Sequence, residues 1–294
     1  MKYEDFICHA KEKVQKQLGN LVQVKVRHVT KNNGVQLAGL AIGEEEWIAP
    51  IIYLEECYQA YERGVVMPEI VEQIIDIYEK AKQTVPIDVK FYTEFEKVEN
   101  NIACKVINYN KNRELLKNIP NIKYLDLAIV FYYFIEDKKM GEGSILIYDS
   151  HLCLWGKTKE EIYHHARKNT TRLLPYQFQK IEEILKGSLD EEELLEDGML
   201  PMYVLSNERK YLGAVAILYD SILASIGECL EDDFYILPSS IHEVIMIPKQ
   251  IAITSAELRV MVEDINLTQV LPEEVLSNEV YVYEREKHHL KLVQ

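Results

Sequence analysis

Apolar positions change their spacing several times along the chain, and each change marks a new element. Tyr3, Phe6, Ile7, Ala10, Val14 and Leu18 recur at helical spacing, and Gly19-Asn20 stops the run. Val22, Val24 and Val26 then alternate with Gln23, Lys25 and Arg27, the period of a half-buried strand. Lys31-Asn32-Asn33-Gly34 is a turn, because Asn-Gly accepts positive φ at low cost, and Val35, Leu37, Gly39 and Ala41 carry the return strand. Pro50–Leu54 is a short apolar run entering a Tyr- and Glu-rich helical segment that continues through Arg63. Pro68 occupies the first position of the next helix, whose buried stripe is Ile70, Val71, Ile74, Ile77, Tyr78 and Ala81.

Ile87–Tyr92 reads as extended, Ile102–Ile107 as a strand and Asn110–Lys117 as a short polar helix, with Asn118–Asn121 turning the chain. Leu125–Ile135 is a near-continuous apolar run fit for a central strand, turned by Asp137–Gly143 and returned by Ser144–Tyr148. Thr158 and Glu161 form a capping box for a helix carrying Ile162, His165, Ala166 and Asn169, and Tyr176–Leu185 reads as a further helix. The acidic run Asp190–Asp197 reads as a solvated face or loop. Met202–Ser206 opens the last sheet segment. Gly213–Leu218 with Ile222, Leu223 and Ile226 fits a buried helix or a strand leading into one.

Phe234–Leu237 and Val244–Ile247 are paired short buried strands, and Thr254 with Glu257 caps a helix ending near Asp264. From Asn266 onward the tail reads as loop-rich, ending in the charged Glu284–Lys291 segment. Together these predict an α+β protein: mostly antiparallel sheets with helices packed on them, in two closely joined lobes, residues 1–120 and 121–294. The break between them falls in the region from Thr84 to Asn121.

Charge narrows the partners. Against 33 basic residues stand 48 acidic ones, a net charge of −15, which opposes attraction to phosphate backbones and anionic lipid. Direct nucleic-acid binding is therefore not expected. The longest apolar run, Leu127–Ile135, is far too short to span a bilayer. Cys8, Cys57, Cys104, Cys153 and Cys229 are dispersed, odd in number and without a Cys-x-x-Cys pair, the usage of a reduced cytoplasmic protein. The N-terminus has no apolar signal core, which adds to the cytoplasmic expectation. The 19 tyrosines supply both core material and amphipathic surface suited to protein contacts.

Candidate chemistry concentrates between the paired strands, at Pro238-Ser239-Ser240-Ile241-His242-Glu243. Ser239 or Ser240 with His242 and Glu243 contains the residue types of a hydrolase: nucleophile, base and orienting acid. On an extended segment Ser240 and His242 share one face while Glu243 points away, and no Gly-x-Ser-x-Gly elbow is present. The same hydroxyls are equally suited to closing a turn. His151, Trp155 and Asn169 could wall a small pocket; alternatively Trp155 plugs the core and Asn169 ends a helix. The spacing of the histidines gives no metal site, and no phosphate-cradling glycine motif or other cofactor signature occurs.

Several blocks carry a resemblance: Asn32-Asn33-Gly34-Val35, Leu125–Tyr133, His151-Leu152 with Trp155-Gly156, Tyr203–Asn207, Leu237–Glu243 and Pro272–Ser277. On these the chain resembles the bacterial family catalogued as domain of unknown function 5688, over essentially its whole length. The Trp-Gly, Ala166, Asn169 and His242–Pro248 pattern is more weakly similar to domain of unknown function 1444. Neither resemblance implies an activity, a cofactor or a catalytic residue. Ser206 and Asn207, from one of these blocks, join His151, Trp155 and Asn169 as candidate binding residues. The resulting expectation is a binding or regulatory module without enzymatic activity. It would engage another protein through a mixed tyrosine-rich, acidic surface. A small-molecule hydrolase with its site at Ser239–Glu243 is the alternative.

Overall fold

The computed structural model describes residues 1–20, 22–43, 51–82, 92–137, 141–185 and 200–293. Two compact units emerge, Met1–Val89 with Glu136–Glu142, and Lys90–Ile135 with Gly143–Gln294. In the first, α1 (Tyr3–Leu18) buries Phe6, Ile7, Ala10 and Val14, the stripe its spacing predicts. Strands β1 (Gln23–Thr30) and β2 (Gln36–Gly43) pair antiparallel with Thr30 opposite Gln36. Asn33 (φ 60) and Gly34 (φ 72) supply the left-handed turn between them.

β3 (Ile51–Tyr53) adds to the other edge of β2. There Gly39 is required: a Cβ would strike the Ile51 side chain and the Ile52 carbonyl. Helices α2 (Glu55–Glu62) and α3 (Met67–Lys82) complete the unit, and Ile70, Val71, Ile74 and Tyr78 of α3 enter its core. Ile77 does not. It lies at the edge of the stripe and is exposed, a correction to the sequence reading.

The second unit carries two antiparallel sheets. One holds β4 (Ile102–Asn108), β6 (Leu127–Asp137) and β5 (Asn121–Tyr124) in that order, with β7 (Gly141–Leu146) also pairing β6. β4 and β6 pair from Ile102↔Tyr133 to Asn108↔Leu127.

The other sheet has six strands: β8 (Tyr176–Lys180), β9 (Tyr203–Asn207), β10 (Phe234–Leu237), β11 (Val244–Pro248), β12 (Tyr281–Glu284) and β13 (His289–Leu292). Their spatial order is β13-β12-β10-β11-β9-β8. Helices α4 (Phe95–Val98), α5 (Asp149–Trp155), α6 (Lys159–Leu173), α7 (Ile181–Leu185), α8 (Asp220–Leu230) and α9 (Ser255–Thr268) surround the sheets.

β10 and β11 are buried on both faces, which explains their unbroken apolar sequence. Phe234, Ile236, Val244 and Met246 enter the main core with Phe131, Tyr132, Ile162 and Ala166. The alternate residues Leu237 and Ile247 meet Leu258 and Val262 of α9. α6 and α9 start where their capping boxes place them. Thr158 Oγ1 accepts the Glu161 N–H at 3.2 Å, and Thr254 Oγ1 accepts the Glu257 N–H at the same distance.

Four other sequence readings change. Tyr176–Leu185 is a strand followed by a short helix, because Tyr176–Lys180 has a partner in β9 and Phe178 stacks on Tyr203 at 5.0 Å. Asn110–Lys117 is a series of turns closed by a 3₁₀ turn at Leu115–Lys117. Asn108 and Asn112 divert the backbone there: Asn108 Oδ1 accepts the Lys111 N–H, and Asn112 Nδ2 donates to the Asn108 carbonyl. Leu125-Asp126 is the turn between β5 and β6 and not the start of the long strand. The loop-rich tail contains β12 and β13. Of Ile87–Tyr92, which reads as extended, all but Tyr92 lies outside the described residues, as does the acidic run Asp190–Asp197.

Candidate functional site

The joint between β10 and β11 is clamped from two sides. On one, Pro238–Ile241 runs antiparallel to Glu274–Ser277. Ile241 N–H donates to the Glu274 carbonyl, Leu276 N–H to Ser239 and Ser277 N–H to Pro238, each at 2.9 Å. On the other, the turn after β9 packs against the same residues. Ser206 Oγ donates to the His242 carbonyl at 2.8 Å and Ala214 N–H to the Ile241 carbonyl at 3.3 Å. Gly213 makes this approach possible, since a Cβ there would overlap Ser206 Oγ, the His242 carbonyl and the Asn207 nitrogen.

His242 is wired at both ring nitrogens. Leu212 N–H donates to Nδ1 at 3.2 Å, so the ring proton sits on Nε2, which faces Glu274 Oε1 at 3.2 Å. Leu212 is held at φ 54, an unusual conformation for a buried leucine, and the imidazole holds its amide there. Ser240 Oγ accepts the His242 backbone N–H at 3.0 Å, a local turn closure. Ser239 and Ser240 are each only 3% exposed.

Glu243 is half-buried. Burial pushes its carboxyl above the usual range and the Glu274 charge adds to this, against the His242 imidazole, the Ser240 hydroxyl and Lys210. The joint therefore gathers Ser240, His242 and Glu243. Its imidazole, however, is coupled to Glu274 and a backbone amide, not to a serine hydroxyl. As arranged, it can hold two loops together and carry partly exposed carboxylates; proton abstraction from Ser240 needs a different wiring.

The five candidate binding residues fall in three separate places. Ser206 is part of the joint, and Asn207 closes the adjoining turn, with Nδ2 donating to the Tyr211 carbonyl at 2.7 Å and Oδ1 accepting the Arg209 N–H at 3.0 Å. His151 and Trp155, on α5, pack around Tyr92 with ring centroids 5.0 and 5.2 Å away. Trp155 Nε1–H donates to the Tyr92 carbonyl, and His151 Nδ1 accepts the Tyr148 N–H at the start of α5. Burial pushes the His151 imidazole below its usual range. Asn169 Nδ2 donates to the Glu99 and Ile102 carbonyls, tying α6 to the entry of β4. Each of these side chains makes a contact that organises the fold.

A second cluster escapes sequence reasoning. Asp126, in the β5–β6 turn, accepts hydrogen bonds from Ser277 Oγ and Tyr281 Oη, both at 2.5 Å. Ser277 Oγ also accepts the Glu279 N–H, and Asn108 Nδ2 reaches the Leu276 carbonyl at 3.0 Å. This cluster binds the four-stranded sheet to the segment entering β12. Tyr281 is fully buried. Burial first, then the Asp126 charge, pushes its hydroxyl well above the usual tyrosine range. In the sequence Asp126 and Ser277 stand in two of the blocks that carry the resemblance, Leu125–Tyr133 and Pro272–Ser277, but no spacing pairs them.

Among the described residues no group of His, Cys, Asp and Glu forms a metal site, and no helix is long and apolar enough to cross a membrane. No curated protein and no solved structure matches the chain. The model of the family of unknown function DUF5688 matches residues 3–285, from the start of α1 to the end of β12. The chain belongs to that family.

Proposed function

We propose that this protein is a non-enzymatic binding or regulatory module that engages another protein, and that α9 presents the contact face. The observation that carries this reading is the outward side of the helix. Its inner side buries Leu258 and Val262 completely, yet Val260 is 66% exposed and Leu267 85%, with Leu271 just beyond at 57%. Val260 and Leu267 are seven residues apart and share one helix face with exposed Ala256. Glu257, Glu263 and Asp264 are exposed beside them.

Apolar residues lined up on an outer face, with carboxylates alongside, suit a partner segment that is both apolar and cationic, such as a basic amphipathic helix. A second copy would bring the same carboxylates into opposition, which disfavours self-association through this face. Tyrosine contributes less than its abundance suggests. Only Tyr148 and Tyr176 are exposed, and neither lies on α9. We place the protein in the cytoplasm, where its five unpaired cysteines would remain reduced.

The hydrolase reading of Ser239–Glu243 draws support from the residue types alone. The wiring of His242 to Leu212 and Glu274 favours the binding reading.

Affinity capture from the protein's own cell lysate tests the proposal, comparing wild type with Val260→Asp/Leu267→Asp and with Glu263→Lys/Asp264→Lys. The expected result is a stoichiometric partner released by salt and absent from both variants. Capture of the same proteins by all three would overturn it.

A further inference from the structure

Within the second unit, the β5–β6 turn, α8 and the β12–β13 hairpin enclose a cleft of about 420 Å³. That volume lies inside the range of about 300–1,000 Å³ common for small-ligand pockets. Leu125 comes from the turn, Leu223 and Ala224 from α8, and His288, His289 and Leu290 from the hairpin. Leu223 and Leu290 are 3% and 7% exposed and make an apolar wall, while both imidazoles are exposed. Tyr283 Oη lies 3.2 Å from His288 Nδ1 and fixes that ring. Tyr124 and Tyr283 complete the lining, and Arg285, on the same hairpin, is engaged with Glu228 at 3.1 and 3.0 Å, which leaves the imidazoles as the ionisable nitrogen groups of the lining.

Two of the left-handed residues lie at the same place, while Asn33, Lys210, Leu212 and Glu231 lie elsewhere. Leu125 (φ 54) and His288 (φ 48) both adopt the left-handed conformation, which is uncommon for a leucine and less so for a histidine. They sit in turns of two different sheets, and both line this cleft. Asparagine or glycine would close either turn with less strain. Residues kept in strained conformations cluster where their side chains serve a ligand.

We propose that this cleft binds a small monocarboxylate with an apolar body. The body lies over Leu125, Leu223 and Leu290, and the carboxylate accepts hydrogen bonds from the His288 and His289 imidazoles. This site is separate from the α9 face, and the Val260→Asp/Leu267→Asp variant retains it.

Titration calorimetry with octanoate, 1-octanol and acetate tests the proposal on the intact protein. Ala224→Phe, which fills the cleft from α8, and His288→Ala/His289→Ala serve as variants. Wild type is expected to bind octanoate saturably, about tenfold or more tightly than octanol, and acetate more weakly still. Ala224→Phe, with an unchanged circular dichroism spectrum, loses octanoate binding. The double histidine variant binds octanoate no better than octanol. Three results would each overturn the proposal: no saturable binding of octanoate at concentrations up to about 1 mM, equal affinity of wild type for octanoate and octanol, or undiminished binding by folded Ala224→Phe.

Discussion

His242 and Glu274, 32 residues apart in sequence, meet with Nε2 3.2 Å from Oε1 while the other ring nitrogen accepts the Leu212 amide. The imidazole thereby bridges the segment before β12 and the turn after β9. Replacing it with alanine leaves a buried backbone N–H without its acceptor, at a cost of about 1–3 kcal/mol in unfolding free energy. Glu274→Gln retains an oxygen acceptor and costs less than about 1 kcal/mol. Urea denaturation of the two variants checks this order. An unchanged midpoint for His242→Ala would show that the bridge does not hold the joint.

Asp126 supports the longer-range link. Both its oxygens are engaged, one by Ser277 and one by fully buried Tyr281. Asp126→Asn turns one acceptor into a donor that faces a hydroxyl already donating. A loss of about 1–3 kcal/mol is expected, larger than for Tyr281→Phe, which takes one donor from Asp126 but sets no second donor against Ser277 or Tyr281. Equal losses in chemical denaturation would mean that the Tyr281 hydrogen bond alone sets the energy of this cluster and that the opposed donor adds nothing.

Tyr92, Tyr132, Tyr219 and Tyr281 all have hydroxyls pushed above the usual range, burial being the first cause in each. Folded protein retains these protons where the unfolded chain releases them, above about pH 10. The folded state then binds more protons than the unfolded one, so stability falls as pH rises. Their contribution is fully present below about pH 10 and is lost above it. Phenolate absorbance followed alongside circular dichroism is expected to show a group of tyrosines ionising only as the structure is lost. Ionisation of every tyrosine before any loss of structure would contradict their burial.

The sequence shows local structure far better than it shows the site. Two capping boxes, the Asn-Gly turn and the stripe of α1 depend on residues within a few positions of one another, and the structure contains all of them. Tyr176–Lys180 reads as helix because its strand character comes from β9, which follows more than 20 residues later. β12 and β13 look like a tail because four-residue strands with charged neighbours carry little period of their own.

The joint was legible as a place but not as an arrangement. Ser240, His242 and Glu243 stand next to one another, whereas Glu274 and Leu212, which determine what the imidazole does, come from distant segments. The meeting of Asp126 with Ser277 and Tyr281 was not legible for the same reason. The outer face of α9 shows a further limit: helical spacing marks Leu258 and Val262 as core, while only the fold shows that nothing among the described residues covers Leu267.

The claim that α9 is a protein-binding face has a direct test in the living cell. A photo-activated cross-linking amino acid is placed at Leu267, 85% exposed on α9, and in a separate experiment at Leu154, 56% exposed on α5. The account expects one discrete protein adduct from position 267, lost when Glu263 and Asp264 are changed to lysine, and none from position 154. No adduct at 267, or the same adducts from both positions, would contradict it.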